Sequence, residues 1–304
     1  MIDVLIIGAG TAGLTAALYA NRAGLKVMVL EKAIYGGQIV NTPLIENYPA
    51  LAEVSGFDFV QGLFEQAVTK FQTPVVYETI QSCMLDGAVK TVVTEKRTIE
   101  ARCVILAAGA EHRKLGCDGE ERLKGRGVSY CATCDGAFFR GKDVAVVGGG
   151  NTALQDARYL ANHCKKVYLI HRRDAFRAAK IEVEQTLARE NVVPVYDSEV
   201  EAILGDNQVQ IIRVKNRTNG TVQELAVDGV FVAVGLAPAS GDFSVEVDDG
   251  GYIVAGEDCK TNVVGVFAAG DIRTKRVRQL VTAAADGAVS AEMALDYLNQ
   301  NCKL

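Results

Sequence analysis

Two cysteines set two residues apart, Cys131-Ala132-Thr133-Cys134, are spaced to close a reversible disulfide. Such a pair takes up and passes on two electrons together. A helix N-terminus beside it would lower one thiol's pKa below its reference of about 8.5. Asp135 follows directly and could move protons to a departing thiolate, although its spacing suits a helix cap equally well. Two readings compete with a redox couple: ordinary core cysteines, and half of a zinc site. The zinc site needs two further ligands, for which His163-Cys164 is the candidate pair, and no metal is expected. The other six cysteines stand singly and suit buried apolar positions.

Two glycine patterns flank this dithiol. Gly8-Ala9-Gly10-Thr11-Ala12-Gly13 follows an apolar run and opens a helix-period stretch, with Glu31 about 20 residues on. Gly8 allows the tight turn, Gly10 lets the backbone approach a pyrophosphate, and Gly13 allows close helix–strand packing. Glu31 can accept from ribose hydroxyls. In the second pattern, Gly148-Gly149-Gly150-Asn151-Thr152-Ala153, the following strand ends in His171-Arg172-Arg173, with Arg177 after it. Guanidinium groups pair bidentately with phosphate, so this end favours a 2′-phosphate. One site suits a plain ribose and the other a phosphorylated one, which points to FAD first and NADPH second. Asp271, after a strand, could accept from the hydroxyl chain of a flavin or simply cap a helix. A helix starting near Gln279 could turn its positive end toward a reduced flavin ring.

These residues need strands and helices to hold them. The spacing predicts a strand at Asp3–Ile7, a helix over Leu14–Ala23 and a strand at Val27–Leu30. The same plan returns as Val144–Val147, a helix to Ala161 and Val167–Ile170, offset by roughly 130–140 residues. Buried strands Val104–Ala108 and Val230–Val234 each run into a glycine, and a helix is expected over Asp58–Phe71. The fold class is α/β, with two Rossmann-like three-layer domains. A length of 304 residues accommodates two such domains, and the last 60 or so residues should complete one of them.

Net charge is −5 with 23% charged and 49% hydrophobic residues, so nothing calls for nucleic acid or an anionic membrane as partner. The uncharged Val4–Ala20 lacks a basic leader and carries three glycines, unlike a signal segment. A cytoplasmic setting is expected.

Taken together, these strings resemble the low-molecular-weight thioredoxin reductase family of flavoproteins. The resemblance also rests on Gly36-Gly37-Gln38, Glu46-Asn47-Tyr48-Pro49 and Gly127-Val128-Ser129-Tyr130 ahead of the dithiol. It extends through Asp174-Ala175-Phe176, Gly265–Asp271 and Arg278-Gln279, in the family's order along the whole chain. It implies an FAD domain of residues 1–113 and 242–304, an inserted NADPH domain of 114–241, and a homodimer. FAD would contact Gly8, Gly10, Thr11, Ala12, Gly13, Glu31, Lys32, Gly37, Gln38, Asn47, Asp271, Arg278, Gln279 and Leu280. NADPH would contact Gly148, Gly150, Asn151, Thr152, His171, Arg172, Arg173 and Arg177. NADPH would reduce FAD and FAD the Cys131–Cys134 disulfide; Cys131 would attack the disulfide of thioredoxin, Cys134 would face the flavin, and Asp135 would serve as acid–base. Both reaction partners of the flavin come from one domain, so a hinge with connectors near Glu111–Lys114 and Ala239–Phe243 is implied. Gln155 departs from the family's frequent acid. An enzyme using ferredoxin or oxygen instead is the alternative, and the Arg172, Arg173 and Arg177 set counts against it.

Overall fold

The computed structural model describes residues 1–42, 44–241 and 243–301. It divides into two compact units: Met1–Glu111 with the chain from Ala237 onward, and His112–Leu236.

The first unit opens with β1 (Ile2–Ile7), α1 (Thr11–Arg22) and β2 (Val27–Glu31), then α2 (Gly56–Phe64) and β3 (Val75–Tyr77). A hairpin of β4 (Ile80–Met84) and β5 (Lys90–Thr94) leads to β6 (Thr98–Leu106). The sheet runs β3-β2-β1-β6-β5-β4. Strand β6 is longer than its apolar stretch suggests because its two halves have different partners. Its first half pairs antiparallel with β5 through Ala101, and its second half pairs parallel with β17 (Val266–Ala268) from Val104. The C-terminal segment thus completes this unit.

Strand β1 is apolar on both faces, as a strand covered on both sides must be. Val4 and Ile6 join the cluster of Leu14, Ala16 and Leu298, whereas Leu5 and Ile7 join Val92, Leu106 and Ile272. Helix α2 begins at Ser55, whose hydroxyl accepts from the Asp58 N–H at 3.0 Å, and the chain continues as a wider helical turn through Thr69.

The chain crosses between units at β7 (Ala110–His112) and β16 (Leu236–Pro238), which pair with one another. The expected division at 113/114 and 241/242 falls a few residues later, and Asp242 lies outside the described residues.

The second unit holds β8 (Val128–Ser129), α3 (Ala132–Asp135), β9 (Asp143–Val147), α4 (Asn151–Ala161), β10 (Lys166–Ile170), α5 (Lys180–Leu187) and β11 (Val192–Val195). An antiparallel meander of β12 (Ser198–Leu204), β13 (Ile211–Asn216) and β14 (Val222–Ala226) precedes β15 (Gly229–Val232). Its central sheet, β11-β10-β9-β15-β8, is parallel throughout. Val144 and Val146 face α4, and Ala145 and Val147 face the meander. The strand–helix–strand repeat is therefore real in three dimensions: β1-α1-β2 and β9-α4-β10 are built alike.

The C-terminal helix α6 (Leu280–Asn301) packs on α1 within the first unit. Small residues make this approach possible: a side chain on Gly287 would come within 2.3 Å of the Ala12 carbonyl oxygen. Among the described residues no helix is long and apolar enough to cross a membrane.

Candidate redox and nucleotide sites

In the first unit β1 ends at Ile7 and the chain reverses at Gly8, whose φ is +106°. A Cβ there would lie 2.4 Å from the Ala107 carbonyl oxygen, and one on Gly13 would lie 1.9 Å from the Gly8 carbonyl oxygen. Gly10 precedes α1 and has open space where its Cβ would be, so the backbone there is accessible to a ligand. Thr11 and Ala12 form the buried first turn. Glu31 accepts from the Ala9 N–H at 2.8 Å and the Ala33 N–H at 3.0 Å, which aims its carboxylate at the turn and leaves lone pairs for another donor. The Gly36 N–H donates to the Ala9 carbonyl at 2.7 Å, and a Cβ on Gly37 would sit 3.6 Å from the Gly10 Cα, so this loop walls the turn. Gln38 donates to the Ala110 carbonyl, and Lys32 meets Glu111 at the surface at 3.1 Å. Asn47 donates to the Gln279 side chain at 3.1 Å.

Asp271 lies in a tight turn, Gly270–Ile272. It lies nine residues ahead of α6, and among the described residues its side chain accepts from no N–H of that helix, so it does not act as its cap. Its Oδ1 is inaccessible and has no partner among the described residues, and burial raises its carboxyl above the ordinary range. The Arg278 Nε is orphaned in the same way, while its guanidinium stacks 4.0 Å over the Tyr252 ring. An orphaned acceptor and donor beside an open glycine turn fit a hydroxyl-rich, anionic group such as a flavin dinucleotide.

The second unit repeats this design. Gly148 is crowded by the Ala233 carbonyl and the Ala153 side chain, Gly149 by the His171 ring, and Gly150, which precedes α4, is open. The Asn151 side chain accepts from the Ala179 N–H at 2.8 Å and so fixes the loop carrying Arg177, whose own N–H donates to Gly149 at 2.8 Å. Thr152 is exposed in the first turn. Arg172, Arg173 and Arg177 are exposed, and among the described residues none of them has a carboxylate partner. His171 is buried and stacked on Phe176, with Nε2 unpartnered. Burial, then the charges of Arg177 and Arg173, hold its pKa below the ordinary value, so the ring is neutral.

Cys131 and Cys134 form a disulfide with Cα atoms 5.3 Å apart. Cys131 precedes the single turn α3, and the Asp135 N–H donates back to its carbonyl at 3.1 Å. Cys131 and Cys134 are both half-buried, and Thr133 Oγ1 lies 3.4 Å from the Cys131 sulfur. Asp135 is no cap; burial raises its carboxyl pKa, opposed by one hydrogen bond donated by Ser129 at 2.6 Å. Of the remaining cysteines, Cys103, Cys164 and Cys259 are buried, Cys83 and Cys117 only half-buried, and Cys302 lies outside the described residues.

Several polar residues matter here that carried no local signal. The buried Glu120 accepts from the Leu115 and Gly116 N–H groups at 2.9 and 2.8 Å and from the Tyr130 hydroxyl at 2.8 Å. It thereby fixes the residue preceding Cys131. The buried Asp286 of α6 accepts from Gly270 N–H, Arg273 and Lys275, and so holds the turn that presents Asp271.

Asp156 on α4 sits beside Gln155, and burial alone pushes its carboxyl up to about 7. The folded state then holds a proton that the unfolded chain has released above its own pKa of about 4, so stability falls as pH rises from there toward 7. Asp156→Asn is expected to stabilise the protein at pH 8 by about 2 kcal/mol, after discounting for partial exposure, and to change nothing near pH 4. Urea denaturation at the two pH values checks this.

Residues 2–287 match the family model described as pyridine nucleotide-disulphide oxidoreductase. A thioredoxin reductase of Listeria innocua is 43% identical over 301 residues, covering 98% of this chain and 94% of its own. One from Mycolicibacterium smegmatis is 45% identical, covering 95% and 94%. The crystal structure of thioredoxin reductase from Streptococcus pyogenes MGAS5005 superposes with a TM-score of 0.91 at 42% identity, covering 99% of both chains. With two Rossmann-like units, one of them carrying the disulfide, the chain is an oxidoreductase that belongs to the thioredoxin reductases of the pyridine nucleotide-disulphide oxidoreductase family.

Proposed function

We propose that the chain is an NADPH-dependent thioredoxin-disulfide reductase acting through FAD and the Cys131–Cys134 couple. The observation that carries this reading is a disulfide placed ahead of the strand–helix–strand unit β9-α4-β10, whose strand β10 leads into Arg172, Arg173 and Arg177, none with a carboxylate partner among the described residues. FAD bound at the first unit supplies two-electron transfer between a pyridine nucleotide and a disulfide.

The chain's own residues do the rest. The Gly8–Gly13 turn and the α1 N-terminus receive the pyrophosphate, Glu31 the ribose, and Asp271 and Arg278 the remainder of FAD. Thr11, Ala12, Lys32, Gly37, Gln38, Asn47, Gln279 and Leu280 line the same cofactor. The Gly148–Ala153 turn with Asn151 and Thr152 receives the pyrophosphate of NADPH. Arg172, Arg173 and Arg177 clamp the 2′-phosphate, with neutral His171 packed beneath the turn. Cys131 attacks the partner disulfide as thiolate, Cys134 closes the ring again, and Asp135 gives and takes the proton. The FAD-binding part corresponds to the first unit and the NADPH-binding part to the second, with β7 and β16 as the connectors that a hinge would use. A homodimer and a cytoplasmic setting complete the reading.

Anaerobic titration with NADPH, and separately with NADH, tests it. NADPH should bleach the flavin, and oxidised thioredoxin added afterwards should restore the colour. Failure of NADPH to bleach it would favour the ferredoxin or oxygen alternative. Replacing Arg173 and Arg177 together by Ala should raise the KM for NADPH about 100-fold and leave that for NADH nearly unchanged, since each phosphate contact is a charge-assisted bond of about 1.5–3 kcal/mol.

A further inference from the structure

We propose that Ser129 is a positioning residue for Asp135, holding the acid and the main chain of Cys131 together in both proton states of the carboxyl. This rests on the dithiol reductase reading above. Ser129 is buried in β8, where it pairs with Phe231 of β15, so it belongs to the central sheet and not to the loop it serves. Its hydroxyl donates to Asp135 Oδ2 at 2.6 Å and accepts from the Cys131 N–H at 3.1 Å. The same oxygen lies 3.3 Å from the Cys131 carbonyl.

A serine hydroxyl has one donor and two acceptor sites. When Asp135 is ionised, the Ser129 proton points at the carboxylate. When Asp135 is protonated, its own O–H can donate to Ser129 Oγ, and the serine proton turns to the Cys131 carbonyl. The Cys131 N–H keeps its acceptor throughout. Both states are fully bonded with no heavy atom moving, so the acid can cycle its proton without rearranging the disulfide segment.

Among the described residues nothing else competes for the carboxyl. Helix α4, packed on α3, brings Tyr159 and Leu160 against Gly136 and also carries Asp156 and Arg158. Burial and the Ser129 bond are the influences on Asp135, and neither charged group of α4 is among them.

The test compares Ser129→Ala, Ser129→Thr, Asp135→Asn and the Ser129→Ala/Asp135→Asn double variant, each purified with its flavin. Flavin bleaching by NADPH should be unchanged in Ser129→Ala, while thioredoxin turnover falls about tenfold, the scale of losing a well-placed general acid in part. Without the serine donor the ionised carboxylate is less stabilised, so the alkaline limb of the pH profile moves to higher pH. Thr at 129 should restore both rate and limb. In the Asp135→Asn background, Ser129→Ala should cost nothing further.

Equilibration of the couple with dithiothreitol reads the same carboxyl without thioredoxin or NADPH. Dithiothreitol supplies two electrons and two protons, its own disulfide closes, and the Cys131–Cys134 bond opens to two thiols. The pH at which that midpoint changes slope should rise in Ser129→Ala. An unmoved limb and slope, an equal further loss in the Asp135→Asn background, or loss of flavin bleaching along with turnover would each overturn the proposal. A wild-type protein that NADPH bleaches but thioredoxin does not reoxidise would instead sink the reading of function, and the dithiothreitol measurement would still decide the role of Ser129.

Discussion

Cys131→Ser and Cys134→Ser are each expected to lower thioredoxin reduction by about three orders of magnitude or more while leaving flavin bleaching by NADPH intact. A serine hydroxyl at neutral pH neither attacks a disulfide nor leaves from one, because exchange requires a thiolate on both sides. Neither single variant can close the ring that the oxidised protein holds between residues 131 and 134. The two variants should differ in what they trap. Cys134→Ser keeps the attacking thiol and should accumulate a mixed disulfide with thioredoxin, visible on a non-reducing gel; Cys131→Ser should not. Cys164→Ala is the control. Burial, with a further contribution from Asp143, pushes that thiol up to about 11, so it is not a thiolate at working pH and its removal should leave turnover in place. Turnover surviving in either dithiol variant would remove the couple from the electron path.

The dithiol and both glycine turns were legible because each depends on neighbours in sequence. A glycine with φ of +106° at residue 8, or two cysteines three positions apart, is dictated by local geometry. The strand–helix–strand repeat was legible for the same reason, since strands buried on both faces are runs of apolar residues. What failed was what depends on distant partners. Strand β6 was expected from Val104, yet it begins at Thr98 because its first half, with an alternating pattern, pairs with β5. Strand β8 is two residues long and has no period to read. The turn α3 spans four residues, too short for any helical repeat.

The site's polar supports were hidden for a related reason. Ser129, Glu120 and Asp286 act at sequence separations of 6, 10 and 16 or less, but across turns whose geometry only the packed chain defines. Asp271 shows the limit from the other side. Its position between a strand and a helix suits a cap as well as a cofactor acceptor, and only the packed chain, which buries Asp271 Oδ1 without a partner among the described residues and separates it from α6 by a turn, decides against the cap.

Asp286 carries the largest expected effect on stability. It is buried with Arg273 and Lys275, side chains that are themselves nearly inaccessible, at 2.7 and 2.8 Å. Burial alone would raise its carboxyl, but hydrogen bonds from Arg273 and Lys275 outweigh that and hold it below the ordinary carboxylate range. Asp286→Asn leaves two buried cations without a counter-charge, which costs about 3–5 kcal/mol. Asp286→Ala also removes the acceptor of the Gly270 N–H, so the turn carrying Asp271 should loosen and flavin retention should fall. The pH dependence has a definite sign. A carboxyl whose folded pKa is depressed contributes stability in full above its unfolded pKa of about 4 and loses it as pH falls through the folded value. The gap between wild type and Asp286→Asn in urea midpoint should therefore be widest at neutral pH, begin to narrow below pH of about 4, and close only below the depressed folded value, where both proteins hold a neutral group at 286. A gap that stayed constant into acid would mean that the side chain's shape, and not its charge, holds this turn.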